Sequence, residues 1–139
     1  MNNQITVLIV DDDKAISLML QRTLKTLGPE YEIFTVGDTV SAINLIEKES
    51  FDLVLTDYMM PGMTGIDLAL AVFSRTAKEF SGTPLAIRSQ FFIADTLEEK
   101  GDIKSALTAF MSLQGKYPQP KILERRIKTL EARIRRGVR

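Results

Sequence analysis

Apolar and polar positions alternate along this chain in blocks of two different periods. Ile5-Thr-Val-Leu-Ile-Val10 is a continuous apolar, β-branched run, the pattern of a central parallel strand covered on both faces. It runs directly into Asp11-Asp12-Asp13. From Ala15 to Leu27 the period changes, and Ile16, Met19, Leu20, Leu24 and Leu27 recur at helical spacing until Gly28-Pro29. Tyr31 to Val36 reads as a short strand. Asp38 or Thr39 can cap the next helix, which carries Val40, Ile43, Leu45 and Ile46. Phe51 to Thr56 is a third strand, ending at Asp57. The order β-α-β-α-β predicts a parallel sheet with right-handed crossovers.

Met60-Pro61-Gly62 signals a turn, and a helix is expected after Thr64-Gly65 with an apolar stripe of Ile66, Ala69, Leu70, Phe73, Ala77 and Phe80. Ser81-Gly82-Thr83-Pro84 breaks it. Beyond Pro84 the spacing predicts helices over 85–100 and 103–114, separated by a turn at Gly101-Asp102. A last helix carries Leu123, Ile127, Leu130 and Ile134, the spacing of a packing seam. No confident strand follows Thr56. The nearest candidate, Leu85 to Ser89, would put Arg88 in a strand normally buried on both faces. Fold class is therefore α/β: a truncated, three-stranded parallel sheet in residues 1–80, and an all-helical extension over 85–139.

Composition narrows the chemistry. With no Cys and no His, disulfides and thiolate metal sites are excluded, and zinc is disfavoured. No apolar stretch approaches membrane-spanning length and no signal peptide precedes Ile5, so the expectation is a soluble, cytoplasmic protein. The zero net charge conceals a split. Residues 1–70 hold 4 Lys/Arg against 11 Asp/Glu, whereas residues 71–139 hold 14 against 7. Such asymmetry implies two regions of distinct function, or halves that attract within or between chains.

Asp11 and Asp12 end the first strand, and Asp57 ends the third. In open α/β sheets ligands bind beyond the carboxyl ends of the strands, where strand order reverses. If those strands are neighbours, three carboxylates converge. They repel one another unless a cation lies among them, and a hard divalent ion with oxygen ligands, Mg²⁺ above all, fits that need. Phosphoryl transfer to a carboxylate needs the same ion, because nucleophile and incoming group are both negative. The plainer alternative is that Asp11–Asp13 only cap the first helix, a role assigned to Asp13.

Leu8-Ile-Val-Asp-Asp12, taken with Asp57-Tyr-Met-Met-Pro-Gly-Met-Thr-Gly65-Ile-Asp-Leu68, resembles the receiver domain of bacterial two-component response regulators over about residues 5–80. The resemblance implies that Asp57 takes a phosphoryl group from a histidine kinase or phosphotransfer protein. It also implies that Asp12, Asp57 and the Met59 backbone carbonyl bind Mg²⁺, with Asp11 acting mainly through water. A complete receiver has two further strands, ending in a Ser/Thr and a Lys that contact the phosphoryl group. Ser89 fills the first role only if Leu85–Ser89 is a strand, and Lys116 the second only if it reaches the site.

Ala94, Leu97, Gly101, Asp102, Ala106, Phe110 and Pro118 instead resemble one tetratricopeptide-type helical hairpin. A third strand left at the sheet edge requires covering, so a homo-oligomer is expected. Lys121, Arg125, Arg126, Lys128, Arg133, Arg135, Arg136 and Arg139 crowd the last helix. Without aromatic interleaving or a recognition-helix pattern they read as a solvated face, and nucleic acid is not the expected partner. No catalytic Ser/His/Asp set or Gly-rich phosphate loop points to an enzyme. The leading function is a phosphorylatable signalling module that acts by protein contact through its helical half. Its rival is a pseudo-receiver that serves as a scaffold without phosphorylation.

Overall fold

The computed structural model describes residues 4–137, so Arg139 lies outside the described residues. The elements are β1 (Ile5–Val10), α1 (Lys14–Leu27), β2 (Tyr31–Val36), α2 (Thr39–Lys48), β3 (Leu53–Thr56), α3 (Gly65–Glu79), α4 (Pro84–Glu99), α5 (Ile103–Ser112) and α6 (Pro120–Arg135). The three strands form one parallel sheet in the order β2-β1-β3. β1 is therefore central, and its Val7, Leu8, Ile9 and Val10 are fully buried, as its unbroken apolar run requires. Ile9 pairs with Leu55 and Val10 with Thr56, so β1 and β3 end side by side. No strand after Thr56 occurs among the described residues.

The chain divides into two compact units, Met1–Leu68 and Ala69–Arg139. That division falls where the charge changes sign: the first unit holds the same 4 cationic and 11 acidic residues counted above, the second the same 14 and 7. The expected stripe of α3 is only partly buried. Ile66, Ala69, Leu70, Phe73 and Ala77 are half-buried and Phe80 is exposed, while Leu68 is buried.

Local signals set the starts of the helices. Asp13 caps α1, accepting from the Ala15 and Ile16 N–H groups at 2.7 and 3.3 Å. Asp38, rather than Thr39, caps α2, accepting from Ser41 N–H at 2.7 Å and from the Ser41 hydroxyl at 2.6 Å. The Ser41 hydrogen bonds hold the Asp38 carboxyl below the usual carboxylate range. Thr64 and Asp67 form a capping pair before α3: both the N–H and the hydroxyl of Thr64 donate to Asp67 Oδ2. β3 is shorter than expected because Phe51 and Asp52 leave the ladder. Phe51 meets Phe34 edge-on, and Asp52 trades hydrogen bonds with the Thr6 backbone through its carboxylate and its own N–H.

In the second unit the helical hairpin is present. Gly101 turns the chain between α4 and α5 at φ +88°, a conformation that favours glycine. Ala94 and Ala106 are fully buried, and their small side chains permit close helix approach. Phe110, Leu113, Leu123, Ile127 and Leu130 complete this core. The α6 seam is thus buried within its own chain. Part of the basic cluster is neutralised there: Arg126 pairs with Asp95 and Glu98, and Arg133 with Glu98. No helix among the described residues is long and apolar enough to cross a membrane.

Gly65 has no left-handed φ; the glycine at positive φ in this loop is Gly62. What requires glycine at 65 is close approach. A Cβ there would lie 2.7 Å from the Asp57 carbonyl oxygen and 3.4 Å from Tyr58 Cα. Gly65→Ala gains about 1 kcal/mol of helix propensity but meets backbone, which overpacks by about 1–3 kcal/mol. The variant is therefore expected to be less stable than wild type by roughly 1 kcal/mol in urea denaturation. A variant clearly more stable than wild type would contradict the clash.

Candidate functional site

The acidic site is built from the ends of two adjacent strands. Asp11 directly follows β1, and its N–H donates to the Val36 carbonyl at 3.1 Å, continuing the β1–β2 ladder by one rung. Asp57 directly follows β3, and its N–H donates to the Val10 carbonyl at 2.9 Å. The register of the sheet therefore delivers both residues to the same edge. Asp12 begins the turn into α1. One carboxylate oxygen from each of Asp11, Asp12 and Asp57 lies within 4.8 Å of the others.

The three groups differ in exposure. Asp11 is buried at 8% exposure, Asp57 is half-buried and Asp12 is exposed. Asp11 Oδ1 accepts from the Asp13 N–H at 2.8 Å, and Asp57 Oδ1 from the Met59 N–H at 3.2 Å. Ser17 is buried behind the site and donates to the Asp11 carbonyl at 3.4 Å. Among the described residues, none of the three carboxylates is ion-paired with Lys or Arg. Three acidic groups held together, one of them buried and, among the described residues, none paired with a cation, match the donor set of a hard divalent cation. The donors are all oxygen, which suits Mg²⁺ and does not suit a soft metal. A cleft of about 400 Å³ opens beside Asp11 and Asp12, bounded by Lys14 and Ser17 of α1 and by Thr35 and Gly37.

The other sequence-derived candidates have different local settings. Met59 is in the loop after Asp57, and its side chain is exposed. Ser89 is buried in the middle of α4, capped at its start by Thr83 and Pro84, and not at a strand end. The strand that its phosphoryl-contacting role presupposed is a helix. The reason is local: Thr83 accepts from the Ala86 N–H and Pro84 occupies the first turn, both helix-initiating features. Lys116 is exposed, in the turn between α5 and α6, and again follows no strand.

Sequence reasoning treated Thr39 only as a possible cap. Thr39 is in fact 2% exposed, and its hydroxyl donates to the Met63 carbonyl at 2.8 Å. No local pattern announces a contact across 24 residues.

The family model "Response regulator receiver domain" matches residues 7–90, ending one residue past Ser89. The cyclic di-GMP phosphodiesterase response regulator RpfG of Xanthomonas campestris pv. campestris is 35% identical over 65 residues, 47% of this chain and 17% of that protein. The sensor histidine kinase GacS of Pseudomonas protegens is 33% identical over 106 residues, 76% of this chain and 11% of that protein. This chain spans between 11% and 33% of the length of such curated relatives. Among solved structures, the chemotaxis response regulator CheY4 of Vibrio cholerae superposes with a TM-score of 0.51 at 28% identity, covering 65% of this chain and 80% of that one. With a family match over more than half its length and its acidic residues gathered at the tips of β1 and β3, the chain belongs to the response regulator receiver domain family of two-component signal transduction.

Proposed function

We propose that this chain is a Mg²⁺-dependent phospho-acceptor whose helical half delivers the output by protein–protein contact. The observation that carries this reading is the convergence of the Asp11, Asp12 and Asp57 carboxylates within 4.8 Å. Asp57 is the nucleophile. One of its carboxylate oxygens attacks phosphorus, and the bond from phosphorus to the donor's imidazole nitrogen breaks. The electron pair leaves with the histidine of a kinase or phosphotransfer protein. Asp11, Asp12 and the Met59 carbonyl would hold Mg²⁺ together with Asp57. When bound, the ion offsets the negative charge on both reacting partners.

Asp57 is half-buried and Asp12 exposed, so a donor protein can reach the acceptor from solvent. The buried Asp11 supplies fixed charge and orientation. α4, α5 and α6 form a core of their own, which supports a separate contact module.

One observation favours the rival reading of a phosphorylation-independent scaffold. Neither Ser89 nor Lys116 follows a strand, so the two groups that would stabilise transferring charge lack their usual placement. Incubating the full chain with Mg²⁺ and acetyl phosphate separates the two readings. Intact mass is expected to rise by one phosphoryl group in wild type, to stay unchanged in Asp57→Asn, and to stay unchanged without Mg²⁺. An unmodified wild-type chain would leave the scaffold reading standing.

We also propose a homo-oligomer. β3 has one strand neighbour, β1, and its other edge is unpaired in the sheet. Leu53 is 42% exposed, and the strand carries no charged residue to blunt pairing. A second copy placed edge to edge would satisfy those backbone groups. Light scattering at micromolar concentration is expected to give at least twice the chain mass, and Leu53→Lys to return the monomer. A monomeric wild type contradicts this assembly.

A further inference from the structure

The loop from Asp57 to Thr64 bears both the acceptor and the Met59 carbonyl, yet little of it is buried. Tyr58, Met59, Pro61, Gly62 and Met63 are exposed, and Met60 alone packs inward. Its internal bonds are the Met59 N–H to Asp57 Oδ1, at 3.2 Å, and the Gly65 N–H to the Tyr58 carbonyl, at 3.4 Å. Both are near the long end of the hydrogen-bond range. The ends of the loop are held more closely, by the Asp57 N–H to the Val10 carbonyl and the Thr64 N–H to Asp67 Oδ2, both at 2.9 Å. One further tie comes from outside the loop. It is the 2.8 Å bond from the buried Thr39 hydroxyl to the Met63 carbonyl.

Thr39 is itself firmly held. It is the first residue of α2, and Asp38 before it is locked by two hydrogen bonds from Ser41. Three residues upstream, the Val36 carbonyl accepts from the Asp11 N–H at 3.1 Å. The junction Val36–Thr39 thus touches both halves of the acidic cluster: Asp11 at one end, and the loop that carries Asp57 at the other.

From this arrangement we infer that the β2–α2 junction is a strap that fixes the acceptor loop against Asp11, with Thr39 as its positioning residue. The Thr39 hydroxyl fixes Met63, and through it the path of the loop that presents the Met59 carbonyl. Mg²⁺ demands near-ideal octahedral geometry at about 2.0–2.1 Å, so a small displacement of one ligand weakens binding. Thr39 needs no contact with the ion to set its affinity. The consequence for the ion rests on the phospho-acceptor reading; the strap itself does not.

Thr39→Val keeps the shape of the side chain and removes the donor, while Thr39→Ser keeps the donor. Amide hydrogen exchange on the metal-free full chain reads the strap directly. Exchange at Met59 and Gly65, whose N–H groups are hydrogen-bonded within this segment, is expected to rise about five-fold in Thr39→Val, and to stay at the wild-type level in Thr39→Ser. Exchange in β1 and α2 should not change. The Mg²⁺ dissociation constant, titrated by Tyr58 fluorescence, should rise about three- to ten-fold in Thr39→Val and recover in Thr39→Ser. Should Thr39→Val fail to fold, Thr39→Ala gives the same comparison. Unchanged loop exchange overturns the proposal, as does an equal rise across β1 and α2, which would make Thr39 an ordinary core residue. If wild type binds no Mg²⁺, the phospho-acceptor reading fails while the exchange arm still decides the strap.

Discussion

Three carboxylates at the tips of two hydrogen-bonded strands repel one another, and the rest of the first unit is arranged to hold them there. The parallel register of β1 and β3 sets the spacing, since Val10 and Thr56 pair immediately before Asp11 and Asp57. β1 is hydrogen-bonded to β2 on one side and to β3 on the other, so a slip of its register would break two ladders at once. Repulsion on this scale is tolerated where a cation, or a group that brings charge of its own, completes the site.

Around this point the structure economises on strands. With three of them, β3 becomes an edge, and the segments that would extend the sheet are helical instead. Helix-starting chemistry at Thr83-Pro84, and a core of small and aromatic residues centred on Phe110, commit the second half to helix packing. Acidic and basic surpluses then follow the two compact units rather than mixing. The first unit carries the acidic surplus, including the Asp11, Asp12 and Asp57 carboxylates that meet at the strand ends. The helical half neutralises part of its positive charge internally, through Arg126 and Arg133 with Asp95 and Glu98.

Much of this was legible in the amino-acid order. β1 and β2 match their predicted bounds, and the acidic trio converges, because a buried parallel strand and a strand-end Asp are both written in consecutive residues. The reason for Gly65 was not legible, since it lies in the approach of a helix start to the Asp57 carbonyl and not in its own φ. Thr39 was equally silent: its partner is 24 residues away, and periodicity carries no information about such pairs. For α3, helical spacing marked the helix and its apolar positions but carried no information on how deeply each is buried.

The account turns on whether the carboxylate crowding is resolved by a metal ion. A Mg²⁺ titration followed by backbone amide shifts tests this most directly. Saturable shifts confined to Asp11, Asp12, Asp57 and Met59, and abolished in Asp12→Asn, are what the geometry predicts. No saturation in a folded sample, or shifts spread evenly over the acidic surface, would contradict it.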